Sequence, residues 1–285
     1  MDWAASSDSE VVVPDEATDG PRSDSLTFIG TATTLLRLGA FTLLTDPNFL
    51  HRGQRAYLGR GLWSRRLTDP AVPVHQLPAL DAVVLSHLHG DHFDRVARRG
   101  LARTQPVLTT PSAARRLSRQ GFETIGLQTW EQQTLVRGVE TLTVRALPAI
   151  HARGLMGALL PPVMGSLLEH RVGEAVIRRV YLSGDTLTGD HLSEIARRHP
   201  DIDLAVLHLG GTRVLFHTVT MDATQGVDFL RRVAPSTTVP VHHDDYGVFR
   251  SPLSAFVSAA EDAGLGHGLL PVGRGETIVL PRRSG

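Results

Sequence analysis

The sequence predicts an α+β fold in which a sheet-rich core is covered by helices on both outer faces. Two patterns predict it: short apolar segments in close succession over residues 26–45, and strand–helix alternation from residue 81 onward. A third observation indicates where such a fold keeps its chemistry. The run Ser86-His87-Leu88-His89-Gly90-Asp91-His92 directly follows the apolar segment Ala82-Val83-Val84-Leu85.

Residues 26–29, 34–38 and 41–45 read as a β-meander, with Gly39-Ala40 turning between the last two. Residues 46–77 are rich in Arg, Gly and Pro and lack periodicity, which predicts a long loop over one end of the sheet. Loops of that kind often carry substrate contacts. Residues 81–85 form a buried-strand run and residues 93–99 follow in helical register, so the histidine cluster sits on a strand-to-helix loop. A strand is expected at 107–109, and Pro111 opens a helix through Arg119. Further strand patterns cover 139–146, 176–182, 204–209 and 238–241. Helical patterns cover 188–198, 222–233 and 252–263. Residues 1–25, rich in Ser, Asp, Glu and Pro, read as a flexible tail, leaving 26–285 as one domain.

Composition narrows the chemistry. The 29 basic and 29 acidic residues cancel, so no global positive field argues for nucleic acid as a partner. No apolar run is long enough to cross a bilayer, and no signal-peptide pattern opens the chain, so a soluble, cytoplasmic protein is expected. Cysteine is absent, which removes thiolate nucleophiles and Cys-ligated metals. Every basic residue other than histidine is arginine, which removes a phosphate-binding loop lysine and a Schiff base. The 14 histidines remain as ligands that work at neutral pH.

His87 and His89 alternate by two, and Asp91 and His92 follow where the chain turns into a helix. This geometry can aim four ligands into one cavity and makes two adjacent metal positions plausible, since imidazole and carboxylate suit zinc and related ions. Three further candidates, His151, Asp185 and His242, each end an apolar strand. A lone histidine at a strand end is usually structural, but a metal shell must be completed from somewhere.

With these residues in view, the chain resembles the metallo-β-lactamase superfamily, in particular the subgroup of ascorbate-6-phosphate lactonase-like enzymes and N-acyl phosphatidylethanolamine phospholipase D. The supporting segments are Leu44-Thr45-Asp46-Pro47, the run from Leu85 to Asp94, Ser183-Gly184-Asp185-Thr186 and Gly210-Gly211-Thr212. The resemblance implies a four-layer αββα sandwich holding two divalent ions, Zn with Mn or Fe as alternatives. It implies that His87, His89 and His151 bind the first ion, Asp91, His92 and His242 the second, and that Asp185 bridges. A metal-bridged hydroxide would then cleave an ester, lactone or phosphodiester bond of a small molecule, with Asp91 orienting it and moving its proton.

The remaining candidates carry weaker signals. His243, beside His242, is weighed between substrate contact and a supporting role shared with Asp245. Asp46 and Asp94 read as residues that orient ligands or fix loops. His208, inside an apolar strand, reads as a hydrogen-bonded core histidine. His217 follows a strand end and is a candidate substrate contact. The arginine-rich stretch 52–66 reads as a solvated loop, with Arg60, Arg65 or Arg66 meeting an anionic substrate as the minority reading. Two alternatives stand beside hydrolysis: an iron-dependent oxidoreductase on the same fold, and a non-catalytic metal-binding scaffold. The oligomeric state leaves no mark in the sequence.

Overall fold

A computed structural model of the chain describes residues 9–12, 23–59, 61–154, 157, 160–214 and 217–280. In chain order the strands are β1 (Ser9–Val12), β2 (Ser25–Gly30), β3 (Thr33–Leu38), β4 (Phe41–Thr45), β5 (Arg55–Tyr57), β6 (Trp63–Arg65), β7 (Ala82–Val84), β8 (Val107–Thr109) and β9 (Thr124–Gly126). They continue with β10 (Gln132–Arg137), β11 (Glu140–Leu147), β12 (Gly165–Val172), β13 (Ala175–Leu182), β14 (Leu204–His208), β15 (Arg213–Val214), β16 (His217–Thr218), β17 (Thr237–Val241) and β18 (Thr277–Val279). The helices are α1 (Arg95–Gly100), α2 (Pro111–Ser118), α3 (Asp190–Arg198), α4 (Ala223–Val233) and α5 (Leu253–Asp262).

Two seven-stranded sheets stack face to face, with orders β18-β2-β3-β4-β7-β8-β9 and β1-β10-β11-β12-β13-β14-β17. Between them lies a core of Leu26, Phe28, Leu36, Phe41 and Leu43 from one sheet and Leu142, Val144, Leu168, Val180 and Val206 from the other. Helices α1 and α2 cover the outer face of the first sheet through Ala97 and Leu117. Helices α3, α4 and α5 cover the second through Leu192, Ile195, Phe229 and Phe256. The expected four-layer sandwich is therefore the observed one. Strands β4, β7 and β14 are buried along their whole length, as strands covered on both faces must be.

Local chemistry sets the boundaries. Gly39 takes φ +55°, so β3 and β4 close through Gly39-Ala40, with Leu38 paired to Phe41. Asp94 caps α1, accepting from the Val96 and Ala97 N–H groups, so the helix starts at Arg95 rather than Phe93. Thr110 and Pro111 open α2 as the sequence predicts.

Three expectations need revision. The segment expected as a tail contains β1, which pairs parallel to β10, and Ser25 already belongs to β2. Residues 46–77, expected to be an irregular loop, contain the antiparallel hairpin β5–β6. Strands β10 and β12 were not evident from apolar pattern, because polar and charged residues alternate through Gln132–Arg137 and interrupt Gly165–Val172. Their register comes from pairing with β11.

Candidate metal centre

The parallel strands β4, β7, β13, β14 and β17 end at the same rim of the sandwich, and each passes a polar residue onto it. Asp46 follows β4, the histidine run follows β7, Asp185 follows β13, His208 ends β14 and His242 follows β17. His151 arrives on the loop after β11. That loop is tied to the Asp185 turn by Ile150 N–H donating to Thr186 Oγ1 (2.9 Å) and Leu187 N–H donating to the Ile150 carbonyl (2.7 Å).

The seven predicted residues are brought together, and all are buried. His87, His89 and His151 form one group with ligand atoms within 4.8 Å of one another. Asp91, His92 and His242 form a second, and His87, His92 and Asp185 a third that joins the other two. Asp185 Oδ2 lies 3.2 Å from His92 Nε2 and 4.0 Å from His87 Nε2, while Asp185 Oδ1 lies 3.8 Å from His242 Nδ1. Asp91 Oδ2 lies 3.5 Å from His242 Nε2 and 3.9 Å from His92 Nε2.

The electrostatics follow from burial and from these neighbours. Burial pushes His87 well below its ordinary value, assisted by the His92, His89 and His151 rings beside it, and pushes His151 down to about 4. Burial also opposes charge on Asp185 and Asp91, yet the neighbouring imidazoles win: Asp185 is held well below the carboxylate range and Asp91 is lowered. His92 shows the converse, raised well above its ordinary value against burial by Asp185, Asp46 and Asp91.

Around the cluster stand residues that aim it. Asp46 Oδ2 lies 3.2 Å from His92 Nδ1 and 3.1 Å from His208 Nε2, and the Asp46 carboxylate accepts from the Ser86 N–H (2.7 Å) and hydroxyl (3.0 Å). Burial would raise Asp46, but His92 and His208 bring it to about 2. His208 is a hydrogen-bonded core histidine, as expected, with Nδ1 3.2 Å from Ser183 Oγ. It also stacks on His92, with ring centroids 5.9 Å apart. His242 Nδ1 donates to the Leu209 carbonyl (3.1 Å), which leaves Nε2 facing Asp91.

Sequence reasoning missed Thr31 and Asn48. The His242 N–H donates to the Thr31 carbonyl (2.7 Å), and Asn48 Nδ2 donates to the Gly90 carbonyl (3.0 Å). Thr31 Oγ1 donates to Asn48 Oδ1 (3.2 Å), so the two cluster loops, one from each sheet, are joined. Thr31, Asp46 and His242 have φ of +54°, +36° and +62°, sparsely populated for these residues and held by this network. No local signal marks either residue, because their partners lie on other elements.

The other candidates separate. His243 is buried beside Phe28, its Nδ1 3.4 Å from Asp244 Oδ1 and its Nε2 without a hydrogen bond, and His217 is exposed on the two-stranded ribbon β15–β16. Arg66 overturns the solvated-loop reading at its own position: its side chain is 0% exposed and its Nη2 lies 3.2 Å from Asp245 Oδ1. Arg60 lies outside the described residues. Arg65 is exposed on β6.

Hairpin β5–β6 lies against the histidine loop. The Gly90 N–H donates to the Tyr57 carbonyl (2.9 Å), and a Cβ at Gly90 would stand 2.6 Å from that oxygen and 2.8 Å from the Tyr57 nitrogen. Gly90→Ala is therefore expected to push the hairpin off the loop. Limited proteolysis checks this: cleavage within residues 55–65 should be faster than in the wild type, and an unchanged rate would contradict the close contact.

Buried polar atoms without hydrogen bonds are costly and rare in folded proteins. Here six converge on one place: His89 Nε2, Asp91 Oδ1, His92 Nε2, His151 Nδ1, Asp185 Oδ1 and His242 Nε2. Imidazole nitrogens and carboxylate oxygens without other partners form a donor set that fits divalent cations. The group Asp46, His92 and His208 also clusters, but its facing atoms, Asp46 Oδ2, His92 Nδ1 and His208 Nε2, are not among those left without a hydrogen bond, so it reads as support for the ligands.

Comparison with known proteins agrees with this geometry. A family model described as a beta-lactamase superfamily domain matches residues 42–243, which include the whole cluster. An uncharacterized protein of Mycobacterium tuberculosis is 29% identical over 252 residues, covering 83% of this chain and 64% of that protein. The N-acyl-phosphatidylethanolamine-hydrolyzing phospholipase D 1 of Caenorhabditis elegans is 28% identical over 240 residues, covering 77% of this chain and 64% of that one. The chain thus spans just under two thirds of the length of these curated relatives. The isothiocyanate hydrolase from Delia radicum gut bacteria superposes with a TM-score of 0.76 at 21% identity, over 90% of this chain and 99% of that chain, a likeness of fold. Among the described residues no helix is long and apolar enough to cross a membrane. With the family match running from β4 past β17, and with a His/Asp cluster able to bind metal at the rim those strands form, the chain belongs to the metallo-β-lactamase superfamily.

Proposed function

We propose that the chain is a dinuclear hydrolase that cleaves an ester, lactone or phosphodiester bond of a small molecule. The observation that carries this reading is the pair of three-residue groups, His87/His89/His151 and Asp91/His92/His242, joined through Asp185, with six buried atoms among the seven residues that have no hydrogen-bond partner outside the cluster. The first group would hold one ion and the second another, with Asp185 shared; Zn suits the donors, and Mn or Fe is compatible. When bound, such ions supply an activated water at neutral pH and Lewis-acid stabilisation of the charge that develops on the attacked oxygen.

The protein's own groups do the rest. Asp91, kept anionic by His92 and His242, is placed to accept and return a proton at Oδ1, which has no competing hydrogen bond. Asp46 holds His92 through Nδ1 and so presents Nε2 to the centre. His243, whose Nε2 has no hydrogen-bond partner, and His217, exposed beyond Gly210-Gly211, are the groups available to touch substrate. The relative named for hydrolysing an N-acyl-phosphatidylethanolamine favours a phosphodiester within the proposed range.

Elemental analysis of protein purified without chelators tests the reading, alongside turnover on a panel of esters, lactones and phosphodiesters. Close to two equivalents of transition metal are expected. Less than one equivalent in total, with no turnover on any panel member after metal is added, would sink it.

His208 offers a finer check, because it ties Asp46 to Ser183, two residues before Asp185. His208→Phe should weaken metal binding about 10- to 100-fold, the usual cost of losing a partner that orients a ligand. Competition against a chromophoric chelator measures it, and an unchanged affinity would show that Asp46 needs no such partner.

A further inference from the structure

The hairpin β5–β6 presents a face that the centre does not use. Its register pairs Arg55 with Arg65, Ala56 with Ser64 and Tyr57 with Trp63. Ala56 and Ser64 are buried, and the four others are exposed on the opposite side. Tyr57 is 45% exposed and Trp63 59%, and Leu62 and Leu67 extend the apolar surface at 42% and 46%. Single exposed apolar residues are ordinary. Here, half of the exposed large hydrophobics among the described residues fall within one short segment, and such clusters mark interaction surfaces. The Tyr57 and Trp63 rings lie 4.9 Å apart, and the Tyr57 hydroxyl accepts from the Gly61 N–H (3.2 Å), so the face is pre-arranged.

Charge identifies what covers it. The protein is neutral overall, yet between Asp46 and Asp69 the sequence carries five arginines and no Asp or Glu. Arg66 is consumed by its buried pair with Asp245, but Arg52, Arg55 and Arg65 are exposed. Asp69, the nearest acid along the chain, pairs with His51 and accepts from the Arg52 N–H. A second copy docking through a two-fold axis would set this arginine-bearing face against itself, with no acid on the segment to offset the repulsion. Tyr and Trp beside guanidinium groups suit instead the headgroup layer of a bilayer, where amphipathic rings settle and arginine meets phosphate.

We infer that hairpin β5–β6 docks the protein onto membrane surfaces rich in anionic phospholipid. The hairpin that carries this face lies directly against the histidine loop, because the backbone of Tyr57 holds Gly90 and Gly59 stands beside His89, where a Cβ would lie 3.4 Å from Nε2. Docking through it sets the metal-centre rim at the lipid headgroups, and substrates carried by the bilayer reach the centre without passing through bulk water.

Co-sedimentation with large unilamellar vesicles tests this, using phosphatidylcholine alone and an equal mixture of phosphatidylcholine and phosphatidylglycerol. The wild type should bind the mixed vesicles and leave the neutral ones, and binding should fall as salt is raised. Arg55→Gln and Arg65→Gln should each weaken binding about fivefold, the effect of one basic residue at an anionic surface. The double variant Tyr57→Ser, Trp63→Ser should abolish it while its circular dichroism melt stays at the wild-type position. Absence of binding to mixed vesicles, or binding untouched by these variants, overturns the inference. So does a concentration-dependent dimer in sedimentation that the double variant dissolves while vesicles remain unbound, since the face would then join two copies. Vesicle binding is read without turnover, so its failure leaves the hydrolytic reading standing.

Discussion

Replacing Asp91 with asparagine is expected to lower turnover by about 10²- to 10⁴-fold, the range lost when a positioned proton-transfer group is removed. Asparagine keeps the volume of the side chain but cannot take a proton at Oδ1, and it withdraws the negative charge that lies 3.5 Å from His242 and 3.9 Å from His92. The fold should persist, because Asp91 sits on a rim loop and packs into none of the hydrophobic clusters. Steady-state kinetics on whichever panel substrate is turned over, with circular dichroism and metal content measured alongside, separates the possibilities. Retained metal with lost turnover assigns Asp91 to the proton, and loss of both assigns it to holding the ion. Unchanged turnover removes Asp91 from the mechanism.

The largest effect on stability is expected at Arg66. Its guanidinium and the Asp245 carboxylate are both fully buried, with Nη2 3.2 Å from Oδ1. Gly30 makes the room, since a Cβ there would lie 2.7 Å from Arg66 Nη2. Asp245 also accepts from the Thr31 N–H (2.6 Å), the Thr68 hydroxyl and Arg274 Nε (3.1 Å), so one carboxylate pins the hairpin segment, the β2–β3 turn and the chain before β18. Removing one partner of a buried pair leaves an uncompensated charge and typically costs about 3–5 kcal/mol. Arg66→Ala should fall near the low end, because Arg274 remains. For a chain of this size that is a fall in Tm on the order of 10 °C.

The same pair predicts an acid dependence. Burial opposes the Asp245 charge, but Arg66 and Arg274 overcome it and lower the carboxyl below its ordinary value. A group depressed on folding stabilises the protein above its unfolded pKa, and that contribution is lost as pH falls through the folded pKa. Wild-type stability should therefore drop below about pH 4, the ordinary range for a free carboxyl. Asp245→Asn should flatten part of that drop. Chemical denaturation at a series of pH values checks both, and parallel wild-type and variant curves would show that the pair contributes nothing through Asp245.

Much of the candidate centre is legible along the chain because its residues are local in sequence or mark strand ends. His87, His89, Asp91 and His92 lie within six positions, and alternation followed by a helix cap is a short-range pattern. His151, Asp185 and His242 are found because an apolar strand that ends on a ligand-type residue delivers it to a rim. The sandwich is legible for the same reason, through β2, β3, β4, β7 and β14, whose burial imposes a continuous or alternating apolar run. Strands β10 and β12 and the hairpin β5–β6 are not, since their pairing rests on backbone hydrogen bonds, which residues with polar side chains form as readily as apolar ones.

What the sequence determined by itself is the kind of chemistry: histidine and aspartate without cysteine or lysine, grouped behind a buried strand. What only the tertiary structure decided is which polar residues work together. Asp46 with His92, Thr31 with Asn48 and Arg66 with Asp245 are separated by tens to hundreds of positions and share no periodicity. It also decided that an arginine-rich stretch divides into one buried ion pair and one exposed cationic, aromatic face. The physical reason is that ligand type is a property of a side chain, whereas partnership and exposure depend on the distances that packing two sheets against each other creates.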